Sequence, residues 1–281
     1  MSESGTQVAG RVPFVKGHGT GNDFIIVPDL AGELALTADW VRAACSRRTG
    51  LGADGVIRVV RAGADPSLEW GRDGDYVMDY RNADGSLAEM CGNGARVMMR
   101  FLGEAGVIGT ESVTLATRGG ARQAWIEGKG RSADITINMG SAAPGPASVV
   151  TIGSHEWTAR GVYLPNPHAV VEVADLQEVG DLHQAPSVTP DSAFPEGVNV
   201  EFVQVQEANR LRMRVHERGV GETMACGTGA CAVAWALGAL QDGPVRVEQP
   251  GGTVQVTAGS DGTLLLTGPA TLIASGELDL T

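Results

Sequence analysis

The sequence predicts an α+β protein of two similar lobes, each a strongly curved, mostly antiparallel sheet wrapped around one central helix. Three observations lead there. Many short runs alternate, or stay apolar with β-branched residues, between Gly, Pro, Asn or Asp boundaries. Two helical patterns are apolar over so much of their surface that protein must surround them. Each of these helices opens on Cys-Gly-x-Gly-Ala, at Cys91 and Cys226, 135 positions apart (226 minus 91) in a chain of 281.

In chain order, "FIIVPDL" reads as a strand, and a helix is expected over Thr37 to Arg47 with Thr37 as its N-cap. The next helix spans Gly92 to Glu104, where Val97, Met98, Met99, Phe101 and Leu102 bury most of its surface. "VTLATR" and "ADITINMG" follow as strands, and "SAAPGPAS" at 141–148 reads as a linker. "GVYLP", "AVVEVADL", "VNVEFVQV" and "RLRMRVHE" supply strands of the second half. The helix expected over Gly227 to Leu240 is apolar all round, and "PVRVEQ", "TVQVTAG" and "TLLLTG" come after it. The lobes are therefore placed at 1–140 and 141–267.

Composition narrows the function. Forty glycines in 281 residues are roughly twice ordinary usage, which with 43% hydrophobic residues means tight turns rather than disorder. A formal charge of −12 argues against nucleic acid and against anionic membranes, and no apolar run is long enough to span a bilayer. The N-terminus shows neither a basic nor an apolar signal region, and its first ten residues are expected to fray. Four cysteines without metal-like pairing suggest free thiols in a reducing cytoplasm.

The chemistry concentrates at Cys91 and Cys226. First-turn N–H groups of a helix lack intrahelical acceptors and, with the macrodipole, favour negative charge. Flanking glycines (Gly92, Gly94, Gly227, Gly229) let a ligand approach the backbone. Such a position lowers a thiol's pKa, whereas burial raises it. Two thiols facing each other would share one proton, making one sulfur a base and the other an acid. That suits inversion of a stereocentre, in which a proton leaves one face of a carbon and another arrives on the opposite face. Helix-mouth N–H groups would hold the substrate's carboxylate and the charge spreading onto it. A lone cysteine near a helix start is usually a small hydrophobe. Two matched Cys-Gly-x-Gly-Ala sites make packing the weaker reading here. Cys45 and Cys231 lack the glycines and read as packing residues. No zinc-ligand spacing accompanies the pair, so no metal is expected.

"GHGTGNDFIIV" (17–27), "RNADGSLAEMCGNGAR" (81–96), "LPNPHAV" (164–170), "GVNVEF" (197–202) and "ERGVGETMACGTGACA" (217–232) resemble diaminopimelate epimerases. The likeness runs from about Phe14 to the C-terminus. Proline racemases and phenazine-biosynthesis isomerases look like relatives by fold. The resemblance implies cofactor-independent epimerisation, free of pyridoxal phosphate, of LL-diaminopimelate to the meso form by two acid/base cysteines, in lysine and peptidoglycan precursor synthesis. It implies a site in the cleft between lobes, closing on the substrate, a last strand (268–281) that returns to the first lobe, and a homodimer. Carried over, Cys91 and Cys226 match the two catalytic cysteines. Gly92, Asn93, Gly227 and Thr228 match groups around the reacting carboxylate. Asn22, Asn82, Asn166, Asn199, Glu217 and Arg218 match residues holding the distal end, and His168 is a second-tier, site-lining residue. Physical chemistry assigns the oxygens of Glu217, Asn82, Asn166 and Asn199 to a distal ammonium, and the Arg218 guanidinium to a distal carboxylate. Gly55 stands where some family members carry a glutamine. His18 reads as structural or lid-borne, and the glycines from Gly17 to Gly21 as a source of loops.

Two alternatives remain. One is a racemase of another amino acid, against which the two-ended binding set argues. The other is a redox or metal protein, which activity in reductant and chelator would exclude.

Overall fold

The computed structural model describes residues 10–72 and 74–279. Most of the expected frayed tail lies outside the described residues. The chain divides into two compact units, one within Met1–Ile137 and Pro269–Thr281, the other Asn138–Gly268.

In the first unit, β1 (Val12–Gly19) and β2 (Asn22–Pro28) form an antiparallel hairpin. Its turn, Thr20-Gly21, has positive φ at both residues (51° and 81°), as a tight type I′ hairpin demands. The expected loop at Gly17–Gly21 is therefore mostly strand and turn. The His18 ring accepts the Gly21 N–H across it, a structural role. Helix α1 (Ala38–Cys45) begins at Thr37, whose hydroxyl caps the Trp40 N–H. Then come β3 (Gly55–Arg61), β4 (Tyr76–Asn82), α2 (Gly92–Glu104), β5 (Val113–Ala116), β6 (Arg122–Ile126) and β7 (Ile135–Gly140). From β1 to β7 neighbouring ladders run antiparallel, parallel, antiparallel, parallel, antiparallel, antiparallel. Helix α2 packs on β1, β2, β3 and β6.

The second unit adds β8 (Ala143–Pro144), β9 (Ser148–Ile152), β10 (His155–Leu164), β11 (Asn166–Glu172), β12 (Ser187–Thr189), β13 (Asn199–Glu207), β14 (Arg210–Glu217) and β15 (Gly221–Thr223). Helix α3 (Gly227–Ala236), β16 (Val245–Gln249), β17 (Gly252–Ala258) and β18 (Leu264–Gly268) complete it. The stretch read as a linker is ordered, because Ala143 and Pro144 pair with Tyr163 and Val162 of β10. Along β10, β11, β13, β14, β16, β17 and β18 the ladders again run antiparallel, parallel, antiparallel, parallel, antiparallel, antiparallel. The helix again enters between the fourth and fifth of these strands. The two units are thus one topology repeated, a kinship that residue identity shows only around the two cysteines. Helix α3 packs on all seven of these strands. It ends at Ala236, four residues short of the expected Leu240, because Gly238 adopts the left-handed conformation (φ 66°). The last strand, β19 (Thr271–Leu278), pairs with β1 in the first unit.

Helix α2 buries more than the apolar residues expected to cover it. Arg96 and Arg100 are buried with the apolar residues. Arg100 donates to the carbonyls of Ala270, Gly130 and Ala133, which answers the cost of burying a cation. Beneath the same sheet, Arg58 joins Asp29 and Asp65 at 2.7 and 2.8 Å, and Arg118 joins Asp79.

Candidate functional site

Each cysteine is the N-cap of its helix, in extended backbone geometry. Cys91 Sγ accepts the Gly94 N–H at 3.5 Å, and Cys226 Sγ accepts the Gly229 N–H at 3.3 Å. Sulfur thus takes the place of the usual Ser or Asp oxygen. Glycine three residues on costs each helix about 1 kcal/mol against alanine, and sterics explain it. A Cβ on Gly94 would stand 2.8 Å from Ile57 Cδ1 and 3.0 Å from Met78 Cε, and one on Gly229 would stand 2.8 Å from Glu201 Oε1.

Around Cys91 the thiol lies 3.6 Å from Asn22 Oδ1, to which it donates. The amide of Asn22 is oriented by its other end, since Nδ2 donates to Asp54 Oδ2 at 2.6 Å. Asp54 is tied to Arg47 at 2.7 Å, and Arg47 and Lys16 also hold Asp23. Burial works to raise the Asp23 pKa, but the hydrogen bonds and charges of Arg47 and Lys16 outweigh it and hold it at about 2. Asn93 donates to Asn22 Oδ1 at 3.3 Å and accepts from the buried Arg96 at 2.9 Å. Arg96 also donates to Thr20 Oγ1 and to the carbonyls of Gly92 and Pro269. Sequence reading passed over Arg96 and Asp54. The signal for Arg96 was a cation three residues after Asn93 and four before Arg100, all on one side of the helix.

Cys226 is buried, its N–H donates to Gln249 Oε1 at 2.7 Å, and its sulfur lies 3.3 Å from Thr228 Oγ1. Burial raises the thiol's pKa well above the ordinary value, and the charges of Glu217 and Glu201 push the same way. The Thr228 hydroxyl and the Gly229 N–H oppose this without winning. Burial thus outweighs the helix terminus here and favours the thiol over the thiolate. Cys45, pushed up to about 11 chiefly by burial, is a packing residue of the first unit's core, and Cys231 is fully buried in α3.

Asn166 and His168 lie on one face of β11, and Asn199 and Glu201 on one face of the adjoining β13, with His168 opposite Asn199. His168 is fully buried, with Nδ1 2.6 Å from Glu201 Oε1 and Nε2 3.0 Å from Asn166 Oδ1. Asn199 Oδ1 accepts the Arg218 N–H at 2.9 Å, and the exposed Arg218 guanidinium touches the Glu196 carbonyl. Glu217 accepts from Thr223 at 2.5 Å. Asn82 Nδ2 donates to Ser86. The amides are therefore sorted. Asn22 and Asn82 donate N–H to the protein, Asn22 Oδ1 also accepting from Cys91 and Asn93, whereas Asn166 and Asn199 engage the protein through oxygen. Gly55 is buried, and a Cβ there would stand 2.7 Å from the Tyr80 ring and 2.5 Å from the Arg81 carbonyl, so no longer side chain fits as this backbone stands.

Within the first unit Cys91, Asn22, Asn93 and Gly92 come together. Within the second, Cys226, Gly227 and Thr228 form one group, and Asn166, His168, Asn199 and the backbone of Arg218 another.

The model of the diaminopimelate epimerase family matches residues 14–144 and 161–273. Diaminopimelate epimerase of Streptomyces coelicolor is 48% identical, with 96% of each chain covered. That of Corynebacterium glutamicum is 42% identical, covering 96% of this chain and 99% of its own. Among solved structures, a phenazine biosynthesis protein of Bacillus anthracis superposes with a TM-score of 0.66 at 16% identity, over 97% of this chain and all of that one. A hydroxyproline epimerase of Agrobacterium vitis superposes at 0.64 and 15%, over 97% and 94%. At such identities these two show the shared fold alone.

Proposed function

Because the chain belongs to the diaminopimelate epimerase family, we propose that it converts LL-2,6-diaminopimelate to the meso form without pyridoxal phosphate, using Cys91 and Cys226 as its acid/base pair. The observation that carries the proposal is the repeated N-cap: in each copy of one topology a cysteine sulfur sits at the mouth of the buried helix.

One sulfur enters as thiolate and takes the α-proton. The electron pair left on carbon spreads into the α-carboxylate, where the first-turn N–H groups at Gly92, Asn93, Gly227 and Thr228 stabilise it. The other sulfur, as thiol, delivers its proton to the opposite face. One proton has left carbon and one has arrived, and the two sulfurs have exchanged roles.

At the distal end, the Arg218 guanidinium with the N–H groups of Asn166 and Asn199 suits a carboxylate. Glu217 and Asn82 offer oxygen to an ammonium, and Asn22 Oδ1 lies at the Cys91 mouth. A substrate lacking either distal group would leave polar atoms unpaired, which is how such a site discriminates. Work in the cytoplasm, where thiols stay reduced, and assembly as a homodimer belong to the same reading; light scattering tests the latter. No described helix is long and apolar enough to cross a membrane.

The test is incubation with LL-diaminopimelate in deuterated buffer with reductant. Product should carry deuterium at one α-carbon. Conversion without solvent deuterium would end the proton-exchange mechanism.

A further inference from the structure

The repeated topology allows a residue-by-residue comparison beneath the two helix mouths. In the first unit, the residues two positions into β2 and β3 are Phe24 and Ile57. With Met78 of β4 they fill the space under Gly94, within 3.4, 2.8 and 3.0 Å of where its Cβ would be. In the second unit the same places on β11, β13 and β14 hold His168, Glu201 and Met213, and Glu201 Oε1 and Met213 Cε stand 2.8 and 3.2 Å from the Cβ position of Gly229. Packing under such a helix is satisfied by Phe and Ile. The second unit instead buries a histidine and a carboxylate, both 0% exposed. Apolar replacement of a buried ionic pair is often neutral or stabilising. Glu201 Oε2 is, moreover, buried without a hydrogen-bond partner among the described residues, a further cost. Folding alone therefore does not account for this pair.

The hydrogen bonds supply the reason. Glu201 Oε1 faces His168 Nδ1, and Asn166 Oδ1 faces His168 Nε2. With an oxygen at each ring nitrogen, both contacts are hydrogen bonds only if the ring donates from both. A neutral ring bearing only Nδ1–H would turn the Asn166 amide around, since a bare Nε2 seeks an N–H. We propose that Glu201 and His168 are positioning residues that hold the Asn166 oxygen inward, leaving its N–H2 to receive a carboxylate of the substrate. The proposal rests on the reading above that Asn166 binds substrate. At the equivalent first position of β2, Asn22 is set the opposite way by Asp54.

The test is the near-isosteric Glu201→Gln variant, which keeps the packing and removes the charge. With LL-diaminopimelate, KM should rise about tenfold, the worth of one charge-assisted hydrogen bond. In the unaltered protein, 15N-histidine NMR at pH 7 should show both ring nitrogens of His168 protonated, and in Glu201→Gln only one. Asn166→Ala serves as the control. If Asn166→Ala raises KM and Glu201→Gln does not, the positioning role is overturned while the substrate reading stands. If Asn166→Ala leaves KM unchanged, Asn166 does not bind substrate and both fall. A bare Nε2 on His168 in the unaltered protein overturns the proposal without recourse to any variant.

Discussion

The mouths of α2 and α3 share a backbone and differ in what surrounds the sulfur. Both cysteines cap their helix through the N–H three residues on. Beside Cys91 the buried charge is cationic: Arg96 holds Asn93, and the thiol itself donates to an amide oxygen. Beside Cys226 it is anionic, with Glu201 against the capping turn and Glu217 near by, and the thiol's pKa is driven up. A duplicated fold supplies two equivalent seats. Replacing Phe24 and Ile57 by His168 and Glu201 makes the seats chemically unlike.

The comparison can be broken most sharply at the capping glycines. Gly229→Ala drives a methyl group onto Glu201 Oε1, whereas Gly94→Ala meets the apolar side chains of Ile57, Met78 and Phe24. Epimerase turnover should fall at least about a hundredfold in Gly229→Ala, the scale of a disturbed acid/base group. Gly94→Ala should chiefly lose stability, about 1–3 kcal/mol by overpacking. Equal activity losses in the two variants would mean that the buried carboxylate does not distinguish the mouths.

Asp54→Asn comes next. It leaves one uncharged oxygen for which Asn22, the Asp23 N–H and Arg47 compete, so Asn22 can turn an N–H toward Cys91. A rise in KM of about tenfold is expected from the loss of one charge-assisted hydrogen bond. Unchanged kinetics would show that Asn22 keeps its orientation without Asp54.

The smallest effect concerns pH. Asp23 titrates at about 2 in the folded protein, below its ordinary value of 3.8. Its folded pKa is depressed, so its stabilising contribution is fully present above about pH 4 and disappears as pH falls toward 2. Urea melts of the protein and of Asp23→Asn should therefore converge across that window. A difference that persists at pH 2 would place the effect in packing instead.

Some of this was legible in the sequence because it is local. The bounds of α2, the Thr37 cap and the cysteine-glycine mouths all depend on neighbours a few residues away. Strands β3 and β4 were harder to see, because Arg58 and Asp79 interrupt their apolar pattern and are buried through partners such as Asp29 and Arg118 that are distant in sequence. Glu201 looked like an ordinary polar residue of an alternating strand, since its partner His168 lies 33 positions earlier on the parallel neighbour. Amide orientation was likewise beyond reach. Whether Asn166 offers oxygen or N–H depends on that same histidine, and the composition of its motif is identical in either case.

The central claim is that both sulfurs handle protons at one carbon. Cys91→Ala and Cys226→Ala, each incubated with LL-diaminopimelate in deuterated buffer, test it most directly. Each should lose conversion to the meso form by at least about a thousandfold, while Cys45→Ala exchanges and converts normally. Near-normal deuterium incorporation and conversion by either single variant would contradict the account.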